Sequence, residues 1–133
     1  MHRADGGSTG FAWKALTGIM LVNGTLGVLA PRFLIRRLGV KPELQPGMVY
    51  VFRMFGIRTV FIAVAMVIRP DDRERLLREG IVVHATDAGA ALAAALLGQL
   101  PSRPALMVAG VSTLNTCLAV SGVRAAAAAR VRP

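Results

Sequence analysis

An all-α, multi-pass transmembrane four-helix bundle follows from three features of this chain. Four apolar blocks of near-spanning length succeed one another. The charges fall mostly between those blocks instead of alternating within them. Small residues recur inside the blocks, as close helix packing in lipid requires. The 133 residues suffice for one domain. Hydrophobic residues make up 54% and charged residues 17%, an oilier balance than a water-soluble domain carries.

Residues 1–10 are polar and Gly-rich and are expected to be disordered. The first apolar block covers residues 15–30, extended at its start by Phe11 and Trp13. Trp13 suits the membrane interface and Lys14 can snorkel to the head groups. Val28 and Ala30 imitate a signal-peptide cleavage site, but Pro31 follows directly, so the block reads as a retained helix. Residues 31–47 interleave Phe33, Leu34, Ile35 and Leu38 with Arg32, Arg36, Arg37 and Lys41. That mixture predicts a short interfacial helix and then a Pro-broken loop.

The second block is 48–68 and contains Arg53 and Arg58. In the polar stretch 69–79, Asp71 and Glu74 have the spacing of a capping box, which predicts a short helix. The third block, 80–100, contains His84 and Asp87. After a PSRP turn, the fourth block, 105–123, carries no charge. The Ala-rich continuation extends the last helix, so the transmembrane domain spans 11–127 and a basic tail spans 128–133. Each block approaches the ~20 residues needed to cross a bilayer core.

Four spans put both termini on one side. Arg3, Lys14, Arg69, Arg73, Arg75, Arg78, Arg124, Arg130 and Arg132 lie there, against Arg32, Arg36, Arg37, Lys41 and Arg103 on the other. This asymmetry predicts a multi-pass protein of the cell membrane with both termini cytoplasmic. The +9 formal charge is thereby explained by flanking positions and lipid contact, and nucleic acid is not an expected partner. Cys117 is the single cysteine, so no internal disulfide can form, and its apolar surroundings predict a buried, inert residue.

An ionised group in hydrocarbon costs several kcal/mol, so intramembrane charges mark partners, cavities or substrates. Arg58 lies ten residues before position 68, about 15 Å deep at 1.5 Å per residue. Asp87 lies about 10 Å deep on the same measure, and consecutive spans are expected to be neighbours, which predicts an Arg58–Asp87 ion pair. Arg53 sits near the opposite end of its span and reads as an anchor, as does Tyr50. His84 precedes Asp87 by three residues, on the same side of a helix, where a carboxylate can orient an imidazole. The alternative for His84 is a hydrogen bond to a neighbouring helix. Asn23 and Asn115 fall near mid-span, so with Arg58 and Asp87 every helix contributes to one polar layer. Thr86 and Thr113 are expected to add hydroxyls to that network. Such a layer either encloses a small polar cavity or only ties helices together.

Arg53-Met-Phe-Gly56-Ile-Arg58 and His84-Ala-Thr-Asp87-Ala-Gly89 resemble small bacterial four-helix membrane proteins of the DoxX-like kind, over roughly residues 12–125. The resemblance implies a four-helix transmembrane bundle with an Arg near a Gly in the second span and an acid in the third. That group has no single activity.

No HExxH, CxxC, GxSxG, Walker A or GxGxxG motif is present, and two histidines do not suggest haem or zinc, so no metal or cofactor is expected. The leading functional expectation is an accessory or partner subunit with a polar intramembrane layer, assembled with a membrane protein or with further copies of itself. The alternative is a cofactor-independent isomerase or cyclase acting on a lipophilic small molecule, with His84 and Asp87 moving protons and Arg58 holding an oxyanion. A transporter or channel subunit is weaker, because titratable groups occupy only part of the membrane thickness.

Overall fold

The computed structural model describes residues 6–44 and 46–131, and these residues form helices and short connections with no strand. Five α-helices follow in order: α1 Gly6–Leu29, α2 Pro31–Arg37, α3 Pro46–Ile68, α4 Arg73–Leu96 and α5 Ser102–Val131. A 3₁₀ turn, Pro70–Asp72, joins α3 to α4. Helix α1 begins inside the segment expected to be disordered; residues 1–5 lie outside the described residues. Helix α5 runs through most of the basic tail, and residues 132–133 lie outside the described residues.

Pro31 ends α1 by removing a backbone donor, then serves as the first residue of α2. Helix α2 stops after about two turns, with Gly39 at φ +74° turning the chain away. The Asp71–Glu74 capping box does not form. Asp72 occupies the cap position of α4 without a side-chain hydrogen bond, and Glu74 accepts from Arg78 and Arg130 instead. The polar 69–79 stretch is consequently not a separate helix: its second half is the first two turns of α4. The other end of α4 stops at Leu96, earlier than position 100, because the chain reverses through Gly98 at φ +68°.

Among the described residues, three helical segments are long and apolar enough to cross a membrane: Gly10–Leu29, Pro46–Ile68 and Ser102–Val131. Helix α4 is not among them, because Arg73, Glu74, Arg75, Arg78 and Glu79 occupy its first turns. The outside of the helix array is as apolar as its inside. Phe61, Val82, Leu96 and Leu106 are all more than three-fifths exposed, an apolar surface that suits membrane association.

Helix α1 packs against α3 on one flank and α5 on the other, α5 packs on α4, and α3 meets α4 only sparsely. The α1–α3 crossing is a backbone-to-backbone contact. A Cβ on Gly56 would lie 2.5 Å from the Gly24 carbonyl oxygen and 2.8 Å from the Val28 nitrogen. One on Gly27 would lie 3.0 Å from the Phe52 carbonyl oxygen. Only glycine permits this approach. The α4–α5 contact uses the same device once, since a Cβ on Gly122 would meet Leu77 Cδ1 at 2.9 Å. The solid core lies toward the α3–α4 connection and comprises Leu16, Met20, Ala63, Met66, Leu77 and Ala119.

The end of this core is tied by charge. Glu74 bonds Arg78 at 2.9 Å and also Arg130, which holds the Ala-rich end of α5 against α4. The Arg78 hydrogen bond, followed by the nearby Arg130 charge, holds the Glu74 carboxyl below its ordinary value of 4.5. A lowered carboxyl pKa stabilises the fold above the unfolded-state value and loses that contribution as pH falls through the folded-state value.

Three outcomes follow from this packing and the Glu74 ion pairs. Gly56→Ala lowers stability in detergent by about 1–3 kcal/mol, read from thermal unfolding, because only backbone could yield to the added methyl. Gly110→Ala, whose added Cβ meets nothing within 4 Å, leaves the fold unharmed. Glu74→Gln flattens the loss of thermal stability on acidification below about pH 4.5, measured as melting temperature against pH.

Candidate functional site

Where α3 and α4 stand apart, a cavity of about 410 Å³ remains, open to one side. Helical periodicity supplies its walls. Phe52, Phe55, Arg58, Thr59 and Ile62 form a stripe on α3, and Leu76, Gly80, Val83, His84 and Asp87 form one on α4. Met107, Val111, Ser112 and Asn115 of α5, with Met20 and Asn23 of α1, close the back. Phe33, Leu34, Arg37 and Leu38, from α2 and the residue after it, close one end. Most of this lining is apolar.

The polar groups are sorted by depth. Thr59, His84, Ser112 and Asn115 are buried on the inner wall, while Arg37, Arg58 and Glu79 are exposed and Asp87 is half-buried. The inner wall thus offers hydrogen-bonding groups without a carboxylate, Lys or Arg, and the rim carries two cations and two carboxylates. Thr59 spends its hydroxyl on the Phe55 carbonyl at 2.8 Å. Asn115 does not have that outlet. It is 6% exposed, and its Oδ1 is sealed from solvent with no hydrogen-bond partner among the described residues. His84 is 7% exposed, and its ring likewise makes no hydrogen bond among the described residues.

Asn23, Arg58, His84, Asp87 and Asn115 therefore line one space. Thr86 and Thr113 do not reach it. Both are exposed on outer helix faces, and the Thr86 hydroxyl donates to the Val82 carbonyl at 2.7 Å. The expected Arg58–Asp87 ion pair is absent: among the described residues no nitrogen–oxygen contact within 4.0 Å joins them. The reason is the cleft itself. The two helices are consecutive but splayed, and the Arg58 guanidinium rests 5.5 Å from the Phe55 ring centroid instead. His84 and Asp87 share a wall without a direct bond between them. Arg53 is exposed and outside the cavity, and Cys117 is exposed rather than buried because its face of α5 turns away from the other helices.

Sequence reading missed the aromatic and apolar share of the site. Phe52, Phe55, Met107 and Val111 carry no signal that separates a cavity wall from a lipid-facing surface. Gly80 was also missed: it is buried, and an added Cβ would meet only His84 Cδ2, at 3.9 Å. No three His, Cys, Asp or Glu side chains gather to hold a metal ion among the described residues. Comparison with protein-family models, curated proteins and solved structures yields no match for this chain.

A buried amide oxygen without a partner costs about 1–3 kcal/mol. Asn115→Leu consequently raises the melting temperature of the ligand-free protein, by the equivalent of about 1 kcal/mol. A comparable fall in melting temperature would mean that the amide is satisfied in the native fold.

Proposed function

We propose that this protein is a small multi-pass integral membrane protein that binds a lipophilic small molecule in the α3–α4 cleft. The cavity carries the reading: it is large enough for a small molecule, mostly apolar, open to one side, and lined at its back by the unpartnered Asn115 amide oxygen. A subunit that serves only to tie helices together needs no such hollow. In this reading α4 is the fourth span, carried across on its packing with α5, and its charged first turns lie at the head groups. The apolar stretch from Gly80 to Leu96 is then about 25 Å long, short for a bilayer core but within the range that local thinning accommodates. The excess of Lys and Arg on the side of the termini supports a cytoplasmic location for both. The DoxX-like resemblance at Gly56-Ile-Arg58 and His84–Asp87 fits the same four-span arrangement.

The chemistry this site suits is proton transfer without a cofactor. His84 can accept a proton from a substrate carbon or hydroxyl and return it at another position, which is an isomerisation or a cyclisation. Asp87 on the same wall stabilises the imidazolium formed on the way, and Arg58 at the rim stabilises negative charge developing on an oxygen. Low dielectric inside the cleft strengthens both effects.

Gly80→Leu tests occupancy. The added Cβ has room, 3.9 Å from His84 Cδ2, and leucine favours the helix, so the larger side chain is expected to take up cavity space in a folded protein, checked by its melting temperature. Solvent extraction and mass spectrometry of protein purified in mild detergent should recover an enriched lipophilic molecule from the wild type. Gly80→Leu should retain at least about tenfold less, the equivalent of about 1.4 kcal/mol. Identical bulk-lipid profiles from both proteins would defeat the binding reading. His84→Ala and Asp87→Asn should stay folded and assembled while losing the cellular activity; if they lose assembly instead, the partner-subunit role is correct.

A further inference from the structure

We propose that a second cavity, at the other end of the molecule, binds the phosphodiester headgroup of an anionic phospholipid. This cavity, of about 620 Å³, lies where the start of α1, the 3₁₀ turn, the start of α4 and the end of α5 meet. It shares no residue with the α3–α4 cleft.

Its charges are unevenly satisfied. Glu74 already bonds Arg78 and Arg130. Lys14 and Arg73 have no carboxylate within 4.0 Å among the described residues. Both nevertheless gather on one indole: the Arg73 guanidinium lies 3.8 Å from the Trp13 ring centroid and the Lys14 ammonium 5.8 Å. Arg73 is fixed there by donating from Nε to the Met66 carbonyl at 3.0 Å. Two cations from different helices held at one ring repel each other, and an anion between them removes that cost. The indole places the pair at the depth of lipid head groups.

The rest of the lining favours a lipid over a free ion. Leu77, Gly122, Ala125, Ala126 and Ala129 form a smooth apolar wall against which an acyl chain can lie. Asp71, the remaining acid at this cavity, pairs with no cation among the described residues and can accept a bond from a headgroup hydroxyl. A phosphodiester carrying hydroxyls, as in phosphatidylglycerol, matches this set.

The test uses the full chain, delipidated in detergent, with melting temperature followed on titration of phosphatidylglycerol, phosphatidylcholine or inorganic phosphate. Phosphatidylglycerol should stabilise at the lowest concentration. Lys14→Gln should weaken that response about fivefold, the equivalent of about 1 kcal/mol for one cation, and should not lower the lipid-free melting temperature, because Lys14 is exposed and its removal relieves the repulsion from Arg73. Arg73→Gln should weaken it as well but also lowers lipid-free stability through the lost Met66 bond, so Lys14→Gln decides. Equal responses to the two lipids, or an unaltered response in Lys14→Gln, overturn the proposal. Inorganic phosphate acting as well as phosphatidylglycerol overturns the lipid source.

Discussion

At the crossing of α1 and α3, Gly24, Gly27 and Gly56 let two backbones touch. In lipid there is no hydrophobic drive to bring helices together, so dispersion between closely apposed backbones has to serve. That contact commits α3 to α1. Helix α4 is committed elsewhere, to α5, through Gly122 against Leu77 and the Glu74–Arg130 bond. With each of the two middle helices bound to a different neighbour, the α3–α4 seam is left open. The cavity is thus a consequence of where the glycines are.

Polarity follows the same plan. Leu16, Met66, Leu77 and Ala119 pack solidly near the α3–α4 connection, and the hollow lies beside and beyond them toward α2. Charged side chains in the middle of apolar helices would be costly against lipid, and here Arg58 and Asp87 border the cleft. The inner wall holds Asn115 and His84, and the Asn115 amide oxygen there has no partner among the described residues. The same arrangement explains why Arg58 and Asp87 do not neutralise each other, since a direct pair would close the space they border.

Much of this was legible in the chain. Apolar block length gave the positions of α1, α3 and α5, and Pro31 with the Arg-rich stretch after it gave α2. Asn23, Arg58, His84, Asp87 and Asn115 stood out because polar groups in apolar blocks are few, and they line one space. What failed depended on knowing which helices touch. The Arg58–Asp87 pair assumed that consecutive spans pack along their length, whereas glycine placement sends them to different partners. Thr86 and Thr113 were assigned by depth alone, yet their helical angles turn them outward. Cys117 was read as buried from apolar neighbours, a signal that does not distinguish a core from a lipid face. The capping box was overridden by the two arginines that compete for Glu74.

The account rests on α3 standing off from α4 at the level of His84. Cysteines replacing Phe55 and Val83, on opposite walls of the cleft, test this in native membranes once Cys117 is replaced by Ser. A disulfide needs Cα atoms within about 7 Å of one another. With the cleft present, no disulfide forms under mild oxidation, and a longer bifunctional maleimide couples the two positions readily. Rapid, complete disulfide formation between those positions would show that the two helices pack directly and that the cleft does not exist in the membrane.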